Sequence, residues 1–136
     1  MIDFTTNLGK RARERLASEY CIWLTTTGTD GTPQPRPVWF VWDNGEFVIY
    51  SPEGAAKLKH IAANPKVALN FDGGTFGEDI QVFIGHARVT ASDFGSAAAK
   101  AYFAKYADQI PEINMTEASF KAMFSQTIRI TADKLR

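Results

Sequence analysis

Along residues 7–19 the apolar residues Leu8, Ala12 and Leu16 recur every fourth position in an otherwise charged stretch, which predicts a surface helix with one narrow apolar stripe. Residues 20–27 change to β-branched and aromatic types and predict a strand, and Thr29-Asp30-Gly31-Thr32 predicts a hairpin turn because Asp-Gly tolerates positive φ. The return strand, 34–42, carries Pro35 and Pro37, which cannot donate ladder hydrogen bonds, so its first half is expected at a sheet edge. Its second half, Val38-Trp39-Phe40-Val41-Trp42, is apolar at every position and needs cover on both faces, as in a barrel wall or at an interface.

Asp43-Asn44-Gly45-Glu46 predicts a second tight turn into a strand over 47–51, completing a three-strand meander. Pro52-Glu53-Gly54 breaks that strand, and residues 55–63 place Leu58, Ile61 and Ala62 on one helical face before Asn64-Pro65 ends the helix. Two further strands, 67–71 and 80–90, flank a loop containing Gly73, Gly74 and Gly77. Asp93 is expected to cap a helix running through Tyr106, Thr116 to cap another to about Phe124, and residues 127–131 to form a sixth strand. Five or six antiparallel strands with a helix between the third and fourth suit a mainly β fold, a small barrel with peripheral helices. Without repeats, low-complexity stretches or linkers, residues 1–136 read as one domain.

Composition narrows the function classes. The chain of 136 residues is 45% hydrophobic, enough to bury a core without disulfide or metal staples, and its one cysteine cannot bridge internally. Fifteen basic and fifteen acidic residues cancel, so no global positive field marks a nucleic-acid or anionic-membrane binder. The opening Met1-Ile2-Asp3-Phe4-Thr5 lacks a basic region followed by an apolar run, and no eighteen consecutive apolar residues occur. A soluble, cytoplasmic protein is expected.

Most catalytic signatures are missing. His60 and His86 have no second ligand at a metal-binding spacing, and Cys21, within an apolar strand, is expected to be an inert small hydrophobe. No G-x-S-x-G, P-loop or post-strand G-x-G-x-x-G occurs. What remains is a phosphate-like constellation: Ser51 ends a strand, Gly54 leads into a helix start, Lys57 lies in that helix's first turn, and Arg36 sits on a neighbouring strand. Two readings stay open, an anion cradle or a solvated helix face with Lys57, Lys59 and His60. Likewise Trp39, Phe40, Trp42 and Tyr50 suit either a core or a cofactor platform.

Six motifs in register add a resemblance. Trp23-Leu24-Thr25-Thr26, Asp30-Gly31-x-Pro33-Gln34-Pro35 and Pro37-Val38-Trp39-Phe40-Val41-Trp42 are followed in order by Tyr50-Ser51, Lys57 and Asn64-Pro65-x-Val67, then by Ile84-Gly85-x-Ala87 and Ile128-Arg129-Ile130-Thr131. Over nearly its whole length the chain resembles the pyridoxamine-phosphate-oxidase-like flavin-binding split β-barrels, and the Pro-Val-Trp-Phe form is most similar to the branch using coenzyme F-420, an 8-hydroxy-5-deazaflavin. The resemblance implies a six-stranded antiparallel split barrel and a homodimer with two cofactor sites at the interface. It puts Arg36, Ser51 and Lys57 at the cofactor phosphate, and Pro37, Val38, Trp39, Phe40 and Tyr50 around the ring. Gln81 falls where flavin oxidases of the family often carry Arg-Gln reaching the partner's ring; here the stretch is Asp79-Ile80-Gln81, and Ala56 thins the cationic pair at Lys57.

A flavin or deazaflavin carries the hydride itself, so no acid–base dyad is required and no catalytic residue is assigned. The function so implied is an oxidoreductase using reduced F-420 on a small unsaturated or quinone-like substrate, whose pocket is expected from loops 71–79 and 107–115. The alternatives are an FMN-dependent oxidoreductase of the same fold and a non-catalytic flavin or haem binder.

Overall fold

In the computed structural model, which describes residues 1–136, the chain runs α1 (Asn7–Ser18), β1 (Cys21–Thr27), β2 (Pro33–Trp39), β3 (Val41–Asp43), β4 (Glu46–Ser51), α2 (Ala56–Ala63), β5 (Lys66–Asn70), β6 (Val82–Ala91), α3 (Ala97–Lys105), α4 (Gln109–Glu112), α5 (Glu117–Met123) and β7 (Gln126–Leu135). All strands join one antiparallel sheet in the order β2-β1-β5-β6-β7-β4-β3. The proline-bearing β2 lies at an edge, where a missing N–H costs no ladder bond. The two edge strands, β2 and β3, are separated in sequence by Phe40 alone, so the sheet has to curl until its edges approach each other. The result is a split barrel, mainly β with peripheral helices.

The sheet has seven strands where six were expected, because the run 34–42 breaks at Phe40. The Phe40 N–H donates to the Tyr106 hydroxyl at 2.8 Å, and its carbonyl accepts from the Lys105 ammonium at 2.8 Å. The Tyr106 hydroxyl donates in turn to the Tyr20 carbonyl at 2.6 Å. Side chains from the end of α3 thus take both backbone groups that a continuous strand would have given to its ladder.

Local chemistry explains most other boundaries. Asn44 and Gly45 both have positive φ (47° and 86°), as a two-residue type I′ hairpin requires. A β-bulge falls at Ile84/Gly85, and a Cβ on Gly85 would stand 2.2 Å from the Thr131 carbonyl oxygen, so only glycine lets β6 and β7 approach there. The cap of α3 is Ser96, whose hydroxyl accepts from Ala99 N–H; Asp93 turns instead to Gly95 N–H, two residues on, and closes a separate turn before the helix. Thr116 caps α5 as expected, reciprocally with Ser119. The short α4 forms inside the stretch expected to be loop, and β7 extends four residues beyond its expected end.

Side chains pointing into the barrel, among them Ile22, Leu24, Phe40, Phe47, Phe83 and Ile130, form one apolar cluster. Outside the barrel, Val48 and Tyr50 of β4 pack beneath Tyr102, Phe103 and Tyr106 at α3 and Phe120 of α5, forming a second. The run Val38–Trp42 is therefore covered on both faces by its own chain: Val38, Phe40 and Trp42 belong to the barrel side, Trp39 and Val41 to the helix side. Its apolarity needs no partner subunit. No such roof covers the outer faces of β1, β5 and β6, where Trp23 is 44% exposed and Ala68, Val82 and Ile84 stay partly open. Cys21, expected to be an inert small hydrophobe, shares this outward parity on β1 and is exposed. No helix is long and apolar enough to cross a membrane.

Candidate functional site

Two clefts open beside Pro37 of β2 and Lys57 in the first turn of α2. The first, of about 200 Å³, is polar and lies among Leu24 and Thr26 of β1, Gln34, Arg36 and Pro37 of β2, and Ala56, Lys57 and His60 of α2. Antiparallel register makes it: Leu24 stands opposite Arg36 and Thr26 opposite Gln34. The distinctive feature is charge. No carboxylate forms an ion pair with Arg36 or Lys57, and the guanidinium donates only to the neighbouring Pro35 carbonyl, at 2.9 Å. Burial, and then the charge of Arg36, push the Lys57 ammonium below the ordinary lysine range. The N-cap of α2 is Ala55, with no side-chain acceptor for the first-turn N–H groups, so the positive end of the helix dipole adds to the two cations. An anion here would give Arg36 and Lys57 the ion pair that no carboxylate of the chain supplies.

The second cleft, of about 220 Å³, is aromatic and is bounded by Pro37, Val38, Trp39, Tyr50, Lys57, Tyr102, Ile113, Phe120 and Phe124. Trp39 is its flat wall, stacked on Tyr106 (4.5 Å between centroids, 3° between planes) and on Phe120 (6.0 Å, 10°). Pro37 and Lys57 line both clefts, so the two adjoin, one cationic and the other aromatic. That pairing fits a ligand with an anionic tail and a planar ring.

Of the residues singled out from the sequence, Arg36, Pro37, Val38, Trp39, Tyr50 and Lys57 come together around these clefts. Phe40, Ser51 and Gln81 do not. Phe40 is fully buried in the barrel with its backbone engaged as described, and the Ser51 hydroxyl is buried and donates to the Pro52 carbonyl at 3.1 Å. The Gln81 amide accepts from the buried Arg15 guanidinium at 2.7 Å and donates to Asp79 at 2.8 Å, within a network that lines neither cleft. Thr26 and Gln34 were missed, though strand alternation on β1 and β2 carried the signal, and His60, expected on the helix face with Lys57 and Lys59, lines the polar cleft one turn beyond Lys57. Tyr102, Phe120 and Phe124 left no local trace, since only tertiary packing brings α3 and α5 over Trp39. No group of three or more His, Cys, Asp or Glu side chains is arranged to hold a metal ion.

Comparison with known proteins identifies the family and the fold. A profile of the pyridoxamine 5'-phosphate oxidase family matches residues 8–135. No curated protein matches the sequence. Solved structures with the same fold include an F-420 reductase (20% identity over 91% of this chain and 94% of that one, TM-score 0.67) and HutZ, a heme storage protein of Vibrio cholerae (15%, 96% and 94%, 0.67). An FAD-binding protein of Mesorhizobium loti is similar too (14%, 93% and 88%, 0.66). With the family profile spanning nearly every element and the split barrel shared with these structures, the chain belongs to the pyridoxamine 5'-phosphate oxidase family.

Proposed function

We propose that the protein is an oxidoreductase that binds a flavin-type cofactor across the two adjoining clefts, reduced F-420 in preference to FMN, and serves hydride transfer to a small unsaturated or quinone-like substrate. The observation that carries this is the pair of carboxylate-free cations, Arg36 and Lys57, in a cleft that adjoins the one walled by the Trp39 stack. A bound flavin or deazaflavin supplies the hydride-carrying ring. Arg36, Lys57 and the uncapped start of α2 hold its phosphate. Trp39, Val38 and Phe120 give the ring a dry wall and exclude water from it. Tyr50 and Tyr102, the phenols in this cleft, are held protonated by burial, so they can donate hydrogen bonds and are not bases.

With Ala56 beside Lys57 the cationic cluster is thinner than a compact phosphate dianion rewards, and the exposed Lys59 and Lys66 leave dispersed positive charge for the acidic tail that continues past a phosphodiester. The similarity to an F-420 reductase points the same way. A homodimer belongs to the proposal, on different grounds from the Val38–Trp42 run: the unroofed face of β1, β5 and β6, with Trp23, Ala68, Val82 and Ile84, adjoins the aromatic cleft through Pro37, the register partner of Trp23. A second copy on this face would complete the cleft's open side.

Side-by-side fluorescence titration tests the cofactor. F-420 is expected to bind at least about tenfold tighter than FMN, about 1.4 kcal/mol, and the reduced form to be oxidised by a quinone or enone. FMN binding as tightly, or co-purifying at one per chain, would promote the FMN-dependent alternative.

A further inference from the structure

At the opposite end of β4 from the two clefts lies a groove that the proposed chemistry leaves unused. It measures about 1010 Å³ and opens between the first residues of the chain and the β3–β4 hairpin, with Thr131, Ala132 and Asp133 of β7 beside them. Glu46 lines this groove and Tyr50 the aromatic cleft, so the two sites stand about 13 Å apart along the strand. Local chemistry builds it. Gly9 of α1 lets residues 3 and 4 run against the helix, since a Cβ there would stand 2.2 Å from the Asp3 carbonyl oxygen and 2.6 Å from the Phe4 Cα. One turn on, the Arg13 guanidinium lies over the Phe4 ring, 4.3 Å from its centroid, and Phe4 meets Trp42 edge to face at 6.0 Å. Phe4 and Trp42 pack on the barrel core yet stay partly open, which gives the groove an aromatic wall.

The charged side chains that line it are not equally free. Asp43 accepts from Arg129, Glu46 from Arg88 and Arg129, and Asp133 from the His86 ring. No carboxylate pairs with Arg13, whose donors are left to the groove. We infer that this groove is a second ligand site, separate from the cofactor clefts, that takes a monocarboxylate carried on a flat apolar body. The carboxylate meets the Arg13 fork and the body lies against Phe4 and Trp42. A guanidinium already laid on an aromatic face has less freedom left to lose on binding. The engaged carboxylates set the ligand's charge. A second anionic group would meet Asp43 or Asp133 with no cation left to answer it, and a cationic ligand would find every carboxylate already paired. The size of the groove is that of clefts holding drug-sized molecules.

β-Naphthoate and its uncharged amide, β-naphthamide, are the probes, because they differ in the one charge that Arg13 would read. Calorimetry should show naphthoate binding at one per chain and about tenfold tighter than the amide, the effect of one charge-assisted hydrogen bond. Arg13→Gln, on the exposed side of α1, should erase that tenfold difference and leave amide binding as it is. Lys57→Ala should change neither affinity, since Lys57 lines only the other two clefts; the outcome is thus independent of whether those clefts hold a flavin. Equal affinities for the two probes, or no naphthoate binding at millimolar concentration, would overturn the site. So would a preference for naphthoate that survives Arg13→Gln, or one that disappears in Lys57→Ala.

Discussion

Tyr50 on β4 and Trp23 on β1 both project from the outside of the same barrel, yet Tyr50 is 6% exposed and Trp23 44%. Strand alternation treats the two positions alike; what separates them is a roof supplied by residues far along the chain. Over β4, Tyr102 meets the Tyr50 ring edge-on at 4.7 Å and Phe103 stacks beside it, and Phe120 closes the layer against both. Over β1 there is only Pro37 on one side and Asn70 on the other. An outward apolar position thus marks a surface that needs cover, without saying whether the cover comes from the same chain. The candidate site lies at the seam, with Trp39 under the roof and Pro37 at its edge.

The largest expected effect is on the roofed half. Phe120→Ala removes a ring that touches Trp39, Tyr102, Phe103 and Phe124, and should cost about 3–5 kcal/mol in urea unfolding. A loss below about 1 kcal/mol would mean that the helices rest on the barrel without sharing its core. On the bare half the expectation is reversed. Trp23→Glu should leave the unfolding of the isolated chain within about 0.5 kcal/mol of the parent while halving the mass seen by light scattering. A parent protein already at the mass of one chain would contradict the homodimer.

The smallest effect concerns the seam's anchor. Burial lowers the Lys105 ammonium from the ordinary 10.5 to about 8. Between these values the unfolded chain binds more protons than the folded one, so stability should rise as pH increases from about 8 towards 10. Above that, Tyr102 and Tyr106, whose hydroxyls burial keeps protonated, reverse the sign because the unfolded chain loses their protons first. Thermal melts across this range should show the rise, and Lys105→Met should remove it. A fall from pH 8 upwards in the parent would show that the ammonium is stabilised where it lies.

Much of this was legible in the sequence because it depends on neighbours. Pro35 and Pro37 announced an edge strand, Asn44-Gly45 a tight hairpin, and Lys57 a cation at a helix start, each through local chemistry. The break at Phe40 was not legible, since it is caused by Tyr106 and Lys105, more than sixty residues away. The same distance hid the aromatic wall: nothing near Trp39 shows that Phe120 will stack upon it. Ser51 and Gln81 are motif positions whose polar atoms are engaged within the chain by Pro52, Arg15 and Asp79. The motif gave a place in the chain, and packing decided what remained free to bind.

The central claim is that the cations of the polar cleft, and not the helix surface at large, hold the cofactor's anionic end, and a paired titration of F-420 into Lys57→Ala and Lys59→Ala tests it most directly. The two positions lie about 200° apart around α2; Lys57 lines both clefts, and the exposed Lys59 lines neither. Loss of the Lys57 charge should weaken binding by about ten- to a hundredfold, or roughly 1.5–3 kcal/mol, while Lys59→Ala stays within about twofold of the parent. Equal effects at the two positions would contradict the site and return both lysines to a solvated helix face.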